Sequence, residues 1–228
     1  MNKKNRFKSD RIRNLALMAV FTALAFVVAL TIRFPVPPFL TLDLKDAVIA
    51  IAAMAIGPSA ALVITAAVTL LEFLTVGDTG VYGLIMDILS SVGFAFTASL
   101  IYKYMKTFVG AIVSLVSATF VMTGVMIAAN LLITPYYMGV EVSAVREMIP
   151  TLLLPFNFLK ATLNAGIVAL LYKPLTKALM RMLGARKNEE KKPLDKRTLW
   201  MTAAAILVIT AALLLLFFKM GASVSFGK

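Results

Sequence analysis

Apolar residues run along this chain in long blocks, separated by short breaks rich in proline, glycine or charge. The first block, Asn14 to Ile32, holds about 19 residues, enough to cross a bilayer as a helix. Pro35, Pro37 and Pro38 then end it, because each lacks a backbone donor and restricts the residue before it. The segment Phe39-Leu40-Thr41-Leu42-Asp43-Leu44-Lys45-Asp46 that follows is too apolar for an ordinary aqueous loop and is expected to fold over something as a lid. Ala47 to Ile56 and Ala60 to Val76 read as a helical hairpin around Gly57-Pro58-Ser59, with a short first arm. Beyond the turn Gly77-Asp78-Thr79-Gly80 come Val81 to Tyr102, Val109 to Ile133 and Met148 to Leu171. A basic stretch leads to a last apolar run, Leu199 to Phe218.

The pattern predicts an all-α integral membrane protein: a six-helix bundle plus a seventh, C-terminal transmembrane helix. Its expected divisions are a basic N-terminus (1–13), a membrane domain (14–180), a basic linker (181–198), the extra helix (199–218) and a tail (219–228). The first apolar run is too long for an ordinary signal-peptide core, and no small-residue cleavage site follows it, so it reads as a retained helix. No internal repeat stands out.

Polar residues inside the apolar blocks carry the functional signal. Asn157, Lys160 and Asn164 stand at i, i+3 and i+7, which puts them on one face of a membrane-length helix. Ionisable and amide groups at that depth line a cavity or pair with one another. For the asparagines the alternative is hydrogen bonding between helices. For Lys160 it is a salt bridge to Asp87 or Glu72. Asp87 lies well inside its block with Ser90 and Ser91 on a common face, and Asn130 lies near the far end of the next block. Thr65, Thr69 and Glu72 share a face, with Glu72 either interfacial or pocket-facing. Asp46 reads as a helix cap.

Composition narrows the chemistry. The chain is 61% hydrophobic and 15% charged, with a mean hydropathy of +0.91, well outside soluble norms. It has no cysteine and no histidine, which removes thiolate metal sites, the commonest metal ligand and the commonest neutral-pH base. An integral-membrane enzyme using Asp87, Glu72 and Asp43 is the contrasting reading, and these absences weigh against it. No Walker A sequence occurs, so the chain does not itself bind ATP in the P-loop manner, and a small binding bundle that borrows energy from partners is a coherent reading. The net charge of +12 reflects sidedness rather than nucleic acid. With the N-terminus cytoplasmic and the spans alternating, 1–13, 103–106 and 173–197 face inward and hold six, two and nine basic residues, 17 of the 23. Localisation is then the cell membrane, and the polar constellation opens outward.

Such a site suits a neutral, amphipathic heterocycle. Amides match an imide-like edge. Leu40, Phe39, Phe94 and Phe156 suit a flat ring, while Thr41, Asp43, Asp87 and Ser91 suit hydroxyls. In the first helix, Ala19 and Ala23, with Ala16 on the same side, form a small-residue stripe; Ala25 and Ala29 form another. Such stripes allow close helix approach, although alanine is common throughout the chain.

The segments FPVPPFLTLDLKDAV, GPSAA, GDTGVYGLIMDILSS and LLPFNFLKATLNAGIVALLYK, with the alanines of the first helix, resemble the riboflavin-specific S component of energy-coupling factor (ECF) vitamin transporters. The resemblance covers about residues 12–180, and PFNFLK is its most specific piece. It implies a six-helix protein that captures riboflavin from outside, as a transported ligand rather than a cofactor, and docks on one transmembrane coupling subunit carrying two ATPases. It further implies that Asn157, Lys160 and Asn164 contact the flavin, with Leu40, Thr41, Asp43, Asp87 and Asn130 as further contacts. Ala16, Ala19 and Ala23 become the docking surface. Two departures bear on this: the run at 199–218 exceeds the six-helix core, and Asp87 stands where the family leads us to expect asparagine. An S component for another vitamin or a heterocyclic base is the alternative substrate reading.

Overall fold

The computed structural model describes residues 3–182, with side chains described over 11–172. The expected linker beyond 182, the helix 199–218 and the tail 219–228 lie outside the described residues.

Among the described residues, seven helices and one β-hairpin follow in order: α1 (Lys3–Thr31), β1 (Arg33–Val36), β2 (Leu40–Asp43), α2 (Lys45–Ile56), α3 (Pro58–Thr75), α4 (Gly80–Tyr104), α5 (Phe108–Met138), α6 (Val142–Met148) and, after a π-helical turn at Ile149–Leu153, α7 (Leu154–Met182). Among the described residues, five segments are long and apolar enough to cross a membrane: Arg11–Thr31, α3, α4, α5 and Val142–Tyr172. At about 1.5 Å per residue, the 12 residues of α2 reach only about 18 Å, well short of a bilayer core.

Three boundaries differ from the sequence reading. Helix α1 begins at Lys3, inside the basic segment, because Lys, Arg and Asn do not break a helix. Polarity marks where an apolar solvent ends, not where helical hydrogen bonding ends. Helix α5 runs through Pro135 to Met138, where a loop was expected, and stops at Gly139, whose φ of 65° is the left-handed cap that glycine favours. The lid is not irregular: β1 and β2 pair antiparallel with Arg33 opposite Asp43 and Val36 opposite Leu40, around a cis Pro37–Pro38 bond. Pairing satisfies the backbone of an apolar segment that has no helix to do so.

The hairpin between α2 and α3 forms as expected. Gly57, at φ 136° and ψ 165°, takes a backbone conformation essentially closed to other residues, and Pro58 opens α3 at a position where its missing N–H is harmless. Helix α2 packs against α1, α3, α4 and α7. Small side chains make this possible: Ala47, Ala50, Ala52, Ala53, Ala60, Ala61, Ala95 and Ala98 are all fully buried. A second apolar cluster joins Leu40 of the hairpin to Val145, Leu153 and Phe156, so the lid is seated on the α6–α7 region.

Candidate functional site

A cleft opens between the hairpin, α3, α4, the end of α5 and the start of α7, with about 980 Å³ of atom-free space including its mouth. Leu40, Thr41, Asp43, Asp87, Asn157 and Lys160, all expected from the sequence as ligand contacts, are among the residues that line it. Ser91, Asn130 and Asn164, also expected as ligand contacts, lie outside this lining and are buried. Phe94 is fully buried in the core rather than free to stack on a ring, whereas Phe39 and Phe156 line the cleft.

These three residues bond to groups behind the lining. Asn164 accepts from the backbone N–H of Ala47 (2.7 Å) and donates to the carbonyls of Asp43 (3.2 Å) and Lys160 (2.9 Å). It satisfies an otherwise orphaned donor in the first turn of α2 and ties that turn to α7. Ser91 donates to the Asp46 carboxylate at 2.5 Å, linking α4 to α2. Asp46 sits in the first turn of α2 but does not cap it. Asn130 donates to the Met126 carbonyl (2.7 Å) and accepts from Thr134 (2.8 Å), all within α5.

Two lysines organise the charges. Lys160 donates to Asp43 Oδ2 at 2.8 Å. Lys45, which the sequence reading left without a role, bridges Glu72 (2.8 Å) and Asp87 (2.5 Å), with Asp43 at 3.9 Å. The partner of Asp87 and Glu72 is therefore Lys45, not Lys160. Lys45 is the first residue of α2, where the helix dipole disfavours a cation. A lysine there calls for nearby carboxylates, and this was the available signal.

Asp43 ties the arrangement together. Its Oδ1 accepts from the Lys45 backbone N–H (3.3 Å), its Oδ2 from Lys160, and its carbonyl from Asn164. Burial opposes its charge, but Lys160 and Lys45 outweigh burial and hold its carboxyl below the ordinary carboxylate value. At the mouth, Arg33 of β1 donates to the Val76 carbonyl (3.1 Å) and meets Asp78 at 3.4 Å, joining the hairpin to the α3–α4 turn. Tyr137 packs against Phe39 and Tyr82 with ring centroids 6.1 Å apart in both pairs, so one flank of the cleft is aromatic. On the polar side, Asn157 Oδ1 and Ser90 Oγ are buried without a hydrogen-bond partner among the described residues. Asn157 uses only its Nδ2, on the Leu153 carbonyl at 2.7 Å. A buried acceptor left open in a cleft wall is equipped for a ligand donor.

The two alanine stripes of α1 point in different directions. Ala25 and Ala29 are 0% and 2% exposed and pack inward. Ala16, Ala19 and Ala23 lie on the exposed side beside Leu15, Val20 and Leu24.

Residues 13–176 match the family model for the ECF transporter, substrate-specific component. The riboflavin transporter RibU of Staphylococcus aureus (strain TCH60) is 29% identical over 192 residues, covering 80% of this chain and all of that protein. The riboflavin transporter FmnP of Bacillus subtilis (strain 168) is 26% identical over 174 residues, covering 71% and 91%. A solved structure of the S component of a bacterial ECF transporter superposes with a TM-score of 0.63 at 28% identity, covering 74% of this chain and 98% of that one. The matched stretch contains the hairpin lid, the two-lysine network and the cleft, and it extends over most of the chain: this protein belongs to the substrate-specific components of ECF transporters.

Proposed function

We propose that this protein is the riboflavin-binding subunit of an ECF vitamin uptake system, taking the vitamin from outside and delivering it inward with an energy-coupling module. Family membership makes it a multi-pass membrane transport subunit and not an enzyme, so the reading of Asp87, Glu72 and Asp43 as catalytic is dropped. The observation that carries the substrate assignment is the cleft itself: an aromatic flank (Phe39, Tyr82, Tyr137) faces a polar wall with an open amide acceptor on Asn157. That pairing suits a flat ring with an imide edge and a hydroxylated side chain, and two relatives carry riboflavin in their names.

In this reading Leu40 and the aromatic flank cover the ring, Asn157 accepts from the imide N–H, and Thr41 and Asp87 take side-chain hydroxyls. Asp43 and Lys160 lock the hairpin over the ligand. Ser91, Asn130 and Asn164 hold that wall in shape. The substrate-binding unit is 14–180, oriented with a cytoplasmic N-terminus as the basic-residue asymmetry supports. The partner module is one transmembrane coupling subunit with two ATPases, and the exposed Ala16, Ala19 and Ala23 stripe is its docking face.

Protein purified in detergent is expected to be yellow, with flavin absorption bands that leave only on denaturation. A colourless protein that also fails to quench added riboflavin overturns the assignment. For the docking face, Ala19→Leu is expected to abolish riboflavin uptake in cells carrying the coupling module while leaving binding to purified protein within about two-fold. Uptake at the wild-type rate would remove Ala19 from the docking surface.

A further inference from the structure

Four carboxylates surround the two buried lysines: Asp43, Asp46, Glu72 and Asp87. Three of them are in ion-pair contact with a lysine, and among the described residues Asp46 is not. Its side chain is fully buried, its Oδ1 accepts from Ser91, and its Oδ2 meets no hydrogen-bond partner there. A buried carboxylate oxygen without a donor is costly and calls for an explanation. Lys160 is the cation that acts on Asp46 most strongly, and Asp46 ranks next after Asp43 among the carboxylates acting on Lys160. That lysine therefore has one acid in contact and a second within its field, the second with an oxygen to spare.

The two acids differ in what holds them. Asp43 ends β2 and belongs to the hairpin, which joins α2 through the single residue Leu44. Asp46 sits in the first turn of α2. That turn is fixed from two sides, by Ser91 of α4 and by Asn164 of α7, which accepts from the Ala47 N–H. Lys160 stands one turn before Asn164 on α7, and its carbonyl accepts from the same amide, so it shares that anchorage. A hairpin that lifts to admit a ligand carries Asp43 away and leaves Asp46 in place. Lys160 is buried, and stranding one member of a buried ion pair is strongly unfavourable.

We propose, resting on the reading of the hairpin as a lid over riboflavin, that Asp46 is a positioning residue for lid opening. It receives the Lys160 ammonium when Asp43 departs, so the lid lifts without leaving a buried charge unpaired.

Asp46→Asn tests this with little change of shape, since the amide oxygen still accepts from Ser91. In purified protein, release of riboflavin, read from the flavin fluorescence regained on dilution, is expected to slow roughly ten-fold. Entry slows with it, so affinity changes by less than either rate. Release at the wild-type rate or faster overturns the proposal. A second measurement needs no ligand: the thermal stability of Asp43→Asn, Asp46→Asn and the double variant. Either single substitution leaves Lys160 one carboxylate and the pair leaves it none, so the double variant is expected to lose clearly more stability than the two losses summed. Additive losses overturn the pairing of Lys160 with Asp46. If riboflavin does not bind at all, the functional reading fails, and the stability comparison still decides that pairing.

Discussion

Lys45 and Lys160 lie in the same buried network, yet they differ in what depends on them. Lys45 is shared among three carboxylates from β2, α3 and α4, at 3.9, 2.8 and 2.5 Å. Lys160 holds one, Asp43, at 2.8 Å. Removing the first leaves Glu72 and Asp87 without their lysine. Removing the second leaves Asp43 still near Lys45. A lysine surrounded by acids therefore supports the fold, whereas on the proposed function a lysine with one partner supports the lid and its ligand.

The largest expected effect tests the first half of that contrast. Lys45→Met strands Glu72 and Asp87, and loss of one partner of a buried ion pair costs about 3–5 kcal/mol. Thermal unfolding in detergent should show a sharp loss of stability or of folded protein; a melting temperature near wild type would refute the structural role. Lys160→Met comes next. It should weaken riboflavin binding roughly ten- to hundred-fold, the worth of one charge-assisted hydrogen bond, with a smaller loss of stability than Lys45→Met. If the two variants lose stability equally, the division of labour between the lysines is wrong.

Asn164→Ala sharpens the comparison from the α7 side. It removes three hydrogen bonds behind the wall, leaving the Ala47 N–H without its acceptor, at about 1–3 kcal/mol. Its binding defect should be weaker than that of Asn157→Ala, since only Asn157 lines the cleft. The smallest effect concerns pH. Because the folded carboxyl of Asp43 titrates lower than in the unfolded chain, its stabilising contribution is complete above the ordinary value of about 3.9 and is lost as pH falls through the lower folded value. Melting curves below about pH 4 should therefore fall less steeply in Asp43→Asn than in wild type.

Much of this was legible in the chain. Apolar block lengths gave the spanning helices, Gly57-Pro58 gave the α2–α3 turn, and the i, i+3, i+7 spacing gave the polar face of α7. What escaped has definite physical causes. Lys45 finds its partners 27 and 42 residues away, and spacing along one helix cannot reveal a pairing across three elements. The backbone bonds of Asn164 and Asn130 are also invisible in sequence, because an amide that satisfies backbone groups has the same polarity and depth as one that faces a cavity. The two alanine stripes of α1 are also alike as sequence; only packing against α2 and α3 separates the buried Ala25 and Ala29 from the exposed trio. The lid was read as apolar, but its β-pairing depends on cross-strand partners that no local pattern encodes.

The aromatic flank has a consequence in the excited state. The chain has one tryptophan, Trp200, which lies outside the described residues, and six tyrosines, two of which, Tyr82 and Tyr137, line the cleft. On the proposed function, a flavin bound in this cleft sits beside these two emitters and accepts their excitation energy. Tyrosine fluorescence is thus a built-in gauge of occupancy, and its recovery on ligand release times the opening of the lid without any attached dye.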